Sequence, residues 1–208
     1  TAEAAPPPNA TEIPSHLGEV GWGSGILSKK VIFMSRTDID VDPCDHITAD
    51  AIGKPGQRVF YLHAYSEHRT YTIIIEKAQL LSLAIGVEQF LGQLSQQYPD
   101  LEEASGDYVE EVMRINPPVD PLFRAGEIGL GYDKDRDRVV VFAKELITEE
   151  QDPEEASQIR FWATRTQLRQ LARWGQEVSQ RGRPVCPQCG QPMEPGGHFC
   201  PKKNGHLH

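Results

Sequence analysis

The chain has 208 residues, of which 38% are hydrophobic, 8% aromatic and 25% charged, with a formal net charge of −9. That is apolar material for one or two domains, with no run of about 18 apolar residues such as a membrane helix needs. The acidic balance counts against bulk nucleic-acid binding, which requires basic surface against phosphates. No basic-then-apolar N-terminal segment marks a secretory signal, so the expectation is a cytoplasmic protein without a membrane role.

Residues 1–33 carry no apolar period. Ala4-Ala5-Pro6-Pro7-Pro8-Asn9 is low in complexity and Gly21 to Gly25 is glycine-rich. Such a segment buries too little to offset its ordering entropy, and a disordered extension is expected. Met34 stands just ahead of the first patterned stretch, and the first unit is placed at 34–98. There, strands are expected over 48–53, 58–64 and 70–75, parted by turn chemistry at Gly53-Lys54-Pro55-Gly56 and Ser66-Glu67-His68-Arg69. A helix over 77–98 follows, because Leu80, Leu81, Leu83, Ala84, Val87, Phe90, Leu91 and Leu94 recur at three and four until Pro99 stops it.

Residues 99–122 form a linker. Val109, Val112, Met113 and Ile115 suggest a helix within 101–115, and Asn116-Pro117-Pro118-Val119-Asp120-Pro121 then forces a stiff extended connection. Over 123–182 the order of elements recurs. Strands are expected over 123–132, 138–143 and 158–163 and a helix over 164–180, with Thr164 or Thr166 as N-cap. Gln79, Leu80, Leu83 and Ala84 align with Gln167, Leu168, Leu171 and Ala172 without a gap. The reading is an internal repeat of a β-β-β-α unit. The fold class expected is α+β: two such units with antiparallel sheet and packed helices, plus a small zinc-ribbon-like tail over 183–208.

The tail carries the chemistry. Cys186-Pro187-Gln188-Cys189-Gly190, His198, Cys200, His206 and His208 crowd into 23 residues too few for a core. A Cys-x-x-Cys turn aims two sulfurs at one ion, and the glycine after it permits the positive φ the turn needs. Cys200 is the third ligand. The fourth is His198, favoured because Gly196-Gly197 supplies a bend before it, or His206. Four protein ligands would close the coordination sphere of a structural Zn²⁺.

Other clusters are weaker. Cys44-Asp45-His46 has ligand types, but a thiol and an imidazole at i and i+2 make a poor nucleophile and base, and a buried thiol is the simpler reading. Arg165, Arg169 and Arg173 lie four apart on the last helix. They could grip phosphate, cover the acidic loop 149–155, or be a solvated face. Tyr61 and His63 share one strand face near His68. With Arg124 they would make a substrate cleft only if the fold joined them.

Several segments are similar to one bacterial family: Asp42-Pro43 to Ile52-Gly53, Gly56-Gln57-Arg58-Val59-Phe60-Tyr61-Leu62, Phe123-Arg124-Ala125-Gly126-Glu127, and Arg183-Pro184-Val185-Cys186-Pro187-Gln188-Cys189-Gly190 to Gly197-His198-Phe199-Cys200-Pro201. The chain resembles the DUF3090 family. The resemblance implies a two-unit α+β body with a zinc-ribbon-like tail and brings no established activity. It also implies a phosphatase or kinase-like protein as neighbour and partner. The leading expectation is a non-enzymatic binding or adaptor protein with structural zinc. The alternatives are a nucleic-acid-binding accessory protein and an enzyme on a phosphorylated or small polar substrate.

Overall fold

A computed structural model describes residues 36–182, 186–193 and 197–203 of the chain. The expected N-terminal extension, Met34 and His206 lie outside the described residues. In chain order the elements are β1 (Asp38–Val41), β2 (His46–Ile52), β3 (Val59–Ser66), β4 (Arg69–Ile75), α1 (Lys77–Gln97), α2 (Glu110–Met113), β5 (Pro121–Asp133), β6 (Arg138–Glu145), β7 (Gln158–Ala163) and α3 (Arg165–Gln180). The fold is α+β, and the β-β-β-α order occurs twice, as β2-β3-β4-α1 and as β5-β6-β7-α3.

All seven strands belong to one sheet, in the order β1-β7-β6-β5-β4-β3-β2. Each triplet is an antiparallel meander, whereas β4 meets β5 in parallel and β1 adds to β7 in parallel. The parallel junction follows from connectivity, since α1 and the chain after it carry the polypeptide back to the start of the next strand. β1 and β2 stand at opposite ends of the order, yet only residues 42–45 join them. Four residues reach at most about 14 Å, so the sheet curls until its edges approach. The Cys44 N–H donates to the Trp162 carbonyl across that gap at 2.8 Å.

Period-two patterning selects the face that meets the helices. Ile159, Phe161 and Ala163 of β7, Val139, Val141 and Ala143 of β6, and Phe60, Leu62 and Ala64 of β3 are all buried. Against them lie Leu80, Leu83, Val87, Leu91 and Leu94 of α1 and Leu168, Leu171, Trp174 and Val178 of α3. Burying each large side chain contributes about 1.5–3 kcal/mol. The two helices cross closely at Gly175, where an added Cβ would come within 2.7 Å of Leu80 Cδ1.

Two elements differ from expectation. β1 was not foreseen; its Asp38-Ile39-Asp40-Val41 alternation is short, and it is held by Arg160, which reaches Asp38 at 2.9 Å and Asp40 at 2.7 Å. The helix expected within 101–115 shrinks to Glu110–Met113. Side chains of α3 take the backbone groups a helix would have used: Arg165 bonds the Glu102 carbonyl, Arg169 that of Ala104 and Gln170 that of Asp107, while Thr166 accepts from the Ser105 N–H. The segment is an extended strap over α3.

Candidate metal centre

A tight turn builds the first half of the centre. The Gly190 N–H donates to the Cys186 carbonyl, and the Cys186 N–H to the Gln191 carbonyl, both at 2.8 Å. Gly190 has φ +73° and Gly197, just before His198, has φ +91°. A side chain at either would be strained, so glycine lets each arm fold back.

The ligand atoms of Cys186, Cys189, His198 and Cys200 all lie within 4.8 Å of one another. Cys186 and Cys200 are buried, while Cys189 and His198 are half-buried. Two thiolates on one tetrahedral Zn²⁺, each about 2.3 Å from it, stand about 3.8 Å apart; the Cys186 and Cys200 sulfurs are 3.9 Å apart. Cys189 Sγ lies 3.1 Å from His198 Nε2. None of the four cysteines is in a disulfide. N–H groups of Cys189 and then Gln188 point at the Cys186 sulfur and hold its pKa below that of an ordinary thiol. That is the direction a metal ligand needs. These four residues form a site that can hold a metal ion, and they make the described cluster with His198; His206 lies outside the described residues.

The tail meets the body. Pro192 shares the wall of a cavity of about 650 Å³ with Arg58, Phe60, Lys77 and Ser179, which come from β3's lead-in, α1 and α3. No pattern in the chain announces this cavity, because its walls come from residues more than a hundred positions apart.

The remaining candidates are dispersed. Cys44 is buried with its thiol toward the Val41 carbonyl at 3.7 Å. Burial, then the Asp42 and Asp45 charges, push its pKa up to about 12. It is a packing thiol rather than a nucleophile. Arg165 pairs with Asp137 at 2.8 Å, and Arg169 with Glu88 at 3.3 Å and Glu103 at 3.2 Å. Those partners replace the acidic loop 149–155 that the run of charge had suggested. Arg173 lies against Gly106, where a Cβ would come within 2.2 Å of its Nε. His63 shares a hydrogen bond with Thr72 Oγ1 at 2.8 Å, His68 one with the Tyr65 hydroxyl at 3.1 Å, and Arg124 pairs with Glu76. Tyr61 is half-buried across the ladder from Asp50 and Ile74. His63, His68 and Arg124 each bond a different neighbour, and with Tyr61 they do not line one cleft.

Among the described residues no helix is long and apolar enough to cross a membrane. Neither the curated proteins nor the solved structures hold a match to this chain. A family model does match, over residues 39–200, from the unforeseen first strand to the last cysteine of the metal cluster. The chain therefore belongs to the DUF3090 family, described as protein of unknown function.

Proposed function

We propose that the chain is a non-catalytic, zinc-binding adaptor whose C-terminal segment is folded around one structural Zn²⁺. The observation that carries this reading is the convergence of three thiols and one imidazole within 4.8 Å. Soft sulfur donors with one nitrogen, in a compact set of four, suit Zn²⁺ better than the oxygen-seeking cations. Four protein ligands leave no open position for substrate, which makes the ion's role structural. A reducing cytoplasm would keep the cysteines available as thiolates.

The partner is a protein, with a phosphatase or kinase-like enzyme as the class the family resemblance implies. Internal pairing of Arg165 and Arg169 supports a protein partner over nucleic acid, because those side chains already hold carboxylates of their own chain.

Metal analysis of protein purified without chelator tests the reading. One zinc per chain is expected, with loss of the metal in Cys189→Ser. Affinity capture with the wild type and with that variant tests the adaptor role, and the partner is expected only with the metal-loaded chain. A Cys186–Cys200 disulfide, or a metal-free tail that stays equally protease-resistant, would falsify the zinc assignment.

A further inference from the structure

The start of α1 and the end of α3 meet beside β3, and two cations converge there. A Cβ built on Gly182 would stand 3.2 Å from Arg58 Nη2 and 3.6 Å from Lys77 Nζ. Glycine leaves that point open. Arg160, Arg165, Arg169 and Arg181 all hold carboxylates, but among the described residues neither Arg58 nor Lys77 has an ion-pair partner. Other cations, such as Arg69 and Arg138, also have no ion pair among the described residues; Arg58 and Lys77 differ from them in converging on one point beside a cavity.

One further feature is unfavourable in the protein alone. Lys77 is the first residue of α1, where a positive charge opposes the helix dipole. Arg58 and Lys77 line the same cavity of about 650 Å³, and Phe60 and Leu81 supply an apolar wall. Arg58 is already oriented: its guanidinium lies 5.3 Å from the Phe60 ring centre and donates to the Val178 carbonyl at 3.3 Å.

One ligand chemistry answers both features. The geometry points to an anion site for a small phosphate monoester carrying an apolar group, gripped by Arg58 and Lys77 with its apolar part against Phe60 and Leu81. The cavity has the size of small-molecule sites. A phosphate offers several acceptor oxygens to a guanidinium fork and an ammonium together, and its double charge answers two cations better than a carboxylate does. The site is independent of the zinc reading, since neither cation is a metal ligand and the tail contributes only the Pro192 wall.

Calorimetric titration of the full chain as purified tests this, with phenyl phosphate as probe and benzoate and phenol as controls. Saturable binding of phenyl phosphate is expected, tighter than benzoate, absent for phenol and weakened by salt. Lys77→Met should weaken it about tenfold. Ser179→Ala should leave the affinity unchanged, because its hydroxyl is sealed from the cavity. Arg58→Gln also removes packing on Phe60, so Lys77→Met decides the outcome. No saturation below about 10 mM, benzoate binding as tightly as phenyl phosphate, or unchanged affinity in Lys77→Met overturns the proposal.

Discussion

Gln79 and Gln167 do the same job at the starts of the two long helices. Each is the third helical residue, and each side-chain oxygen accepts from the backbone N–H of its N-cap residue, Glu76 at 2.7 Å and Thr164 at 2.8 Å. Each amide nitrogen then reaches backbone carbonyls outside its own triplet of strands. Gln79 donates to the carbonyls of Ala125 and Gly126 at 3.1 and 3.2 Å, where β5 shifts register against β6. Gln167 donates to those of Cys44 and Asp45 at 3.1 and 3.0 Å, in the link between β1 and β2. Backbone that leaves a ladder has carbonyls without ladder partners, and the two glutamines supply donors there. Each helix start is thereby tied to a segment outside its own β-β-β-α unit.

Replacing either glutamine by alanine removes the N-cap acceptor and both donations. We expect a loss of about 1–3 kcal/mol for Gln79→Ala or Gln167→Ala, read as a lower urea midpoint with unchanged slope. Gln167→Glu keeps the acceptor but sets a carboxylate against two carbonyls, and should be no more stable than the alanine variant.

Asp50 holds the strap against edge strand β2. It is 7% exposed and accepts from the Ala51 N–H at 2.7 Å and the Ile115 N–H at 3.1 Å, while Thr48 Oγ1 donates to the Met113 carbonyl at 2.6 Å. Asp50→Ala leaves buried donors unmet and is expected to cost about 2–4 kcal/mol. The strap also shields a strand edge that would otherwise invite pairing between molecules. Light scattering on warming should therefore rise earlier in this variant than in Asp50→Asn, which keeps one acceptor.

His46 and His63 make stability depend on pH. Burial lowers the pKa of both below 6.5, with a further push on His63 from the His46 charge. Between the folded and unfolded values the unfolded chain binds more protons, so stability rises with pH across that window. It is full above 6.5 and falls as pH drops toward the folded values. Thermal melts between pH 7 and 5 should show this decline, and His46→Gln or His63→Gln should flatten it. An unchanged slope in both variants would rule the two histidines out.

The β3–β4 turn is strained. Glu67 and His68 have φ of +46° and +67°, the left-handed values of a two-residue hairpin turn, without a glycine or asparagine to accept them. Glu67→Asn with His68→Gly should stabilise the protein by about 1 kcal/mol or more. A melting temperature that drops instead would mean that the His68 contact with the Tyr65 hydroxyl outweighs the strain.

Much of the fold was legible because it is local. The heptad-like recurrence from Leu80 to Leu94 marks α1 whatever it packs on, and alternation at Val139, Val141 and Ala143 marks β6. β1 is not legible locally because four residues carry too little period, and its existence depends on Arg160 being opposite its two aspartates. The strap is illegible for the converse reason. Its helical pattern is real, but donors from α3 compete for its carbonyls and win.

The metal cluster sits between these cases. Cys-x-x-Cys-Gly sets its own turn, and glycine at the bend needs no distant contact. Which carboxylate an arginine meets, which carbonyl a glutamine reaches, and whether Arg58 and Lys77 meet beside Gly182 are different questions. They join residues tens to more than a hundred positions apart. Periodicity and turn chemistry act within a few residues, so the chain itself determined its longer elements and its candidate metal ligands. Charge and hydrogen-bond complementarity act wherever the sheet brings segments together, so only the curled sheet and its crossed helices decided the partners.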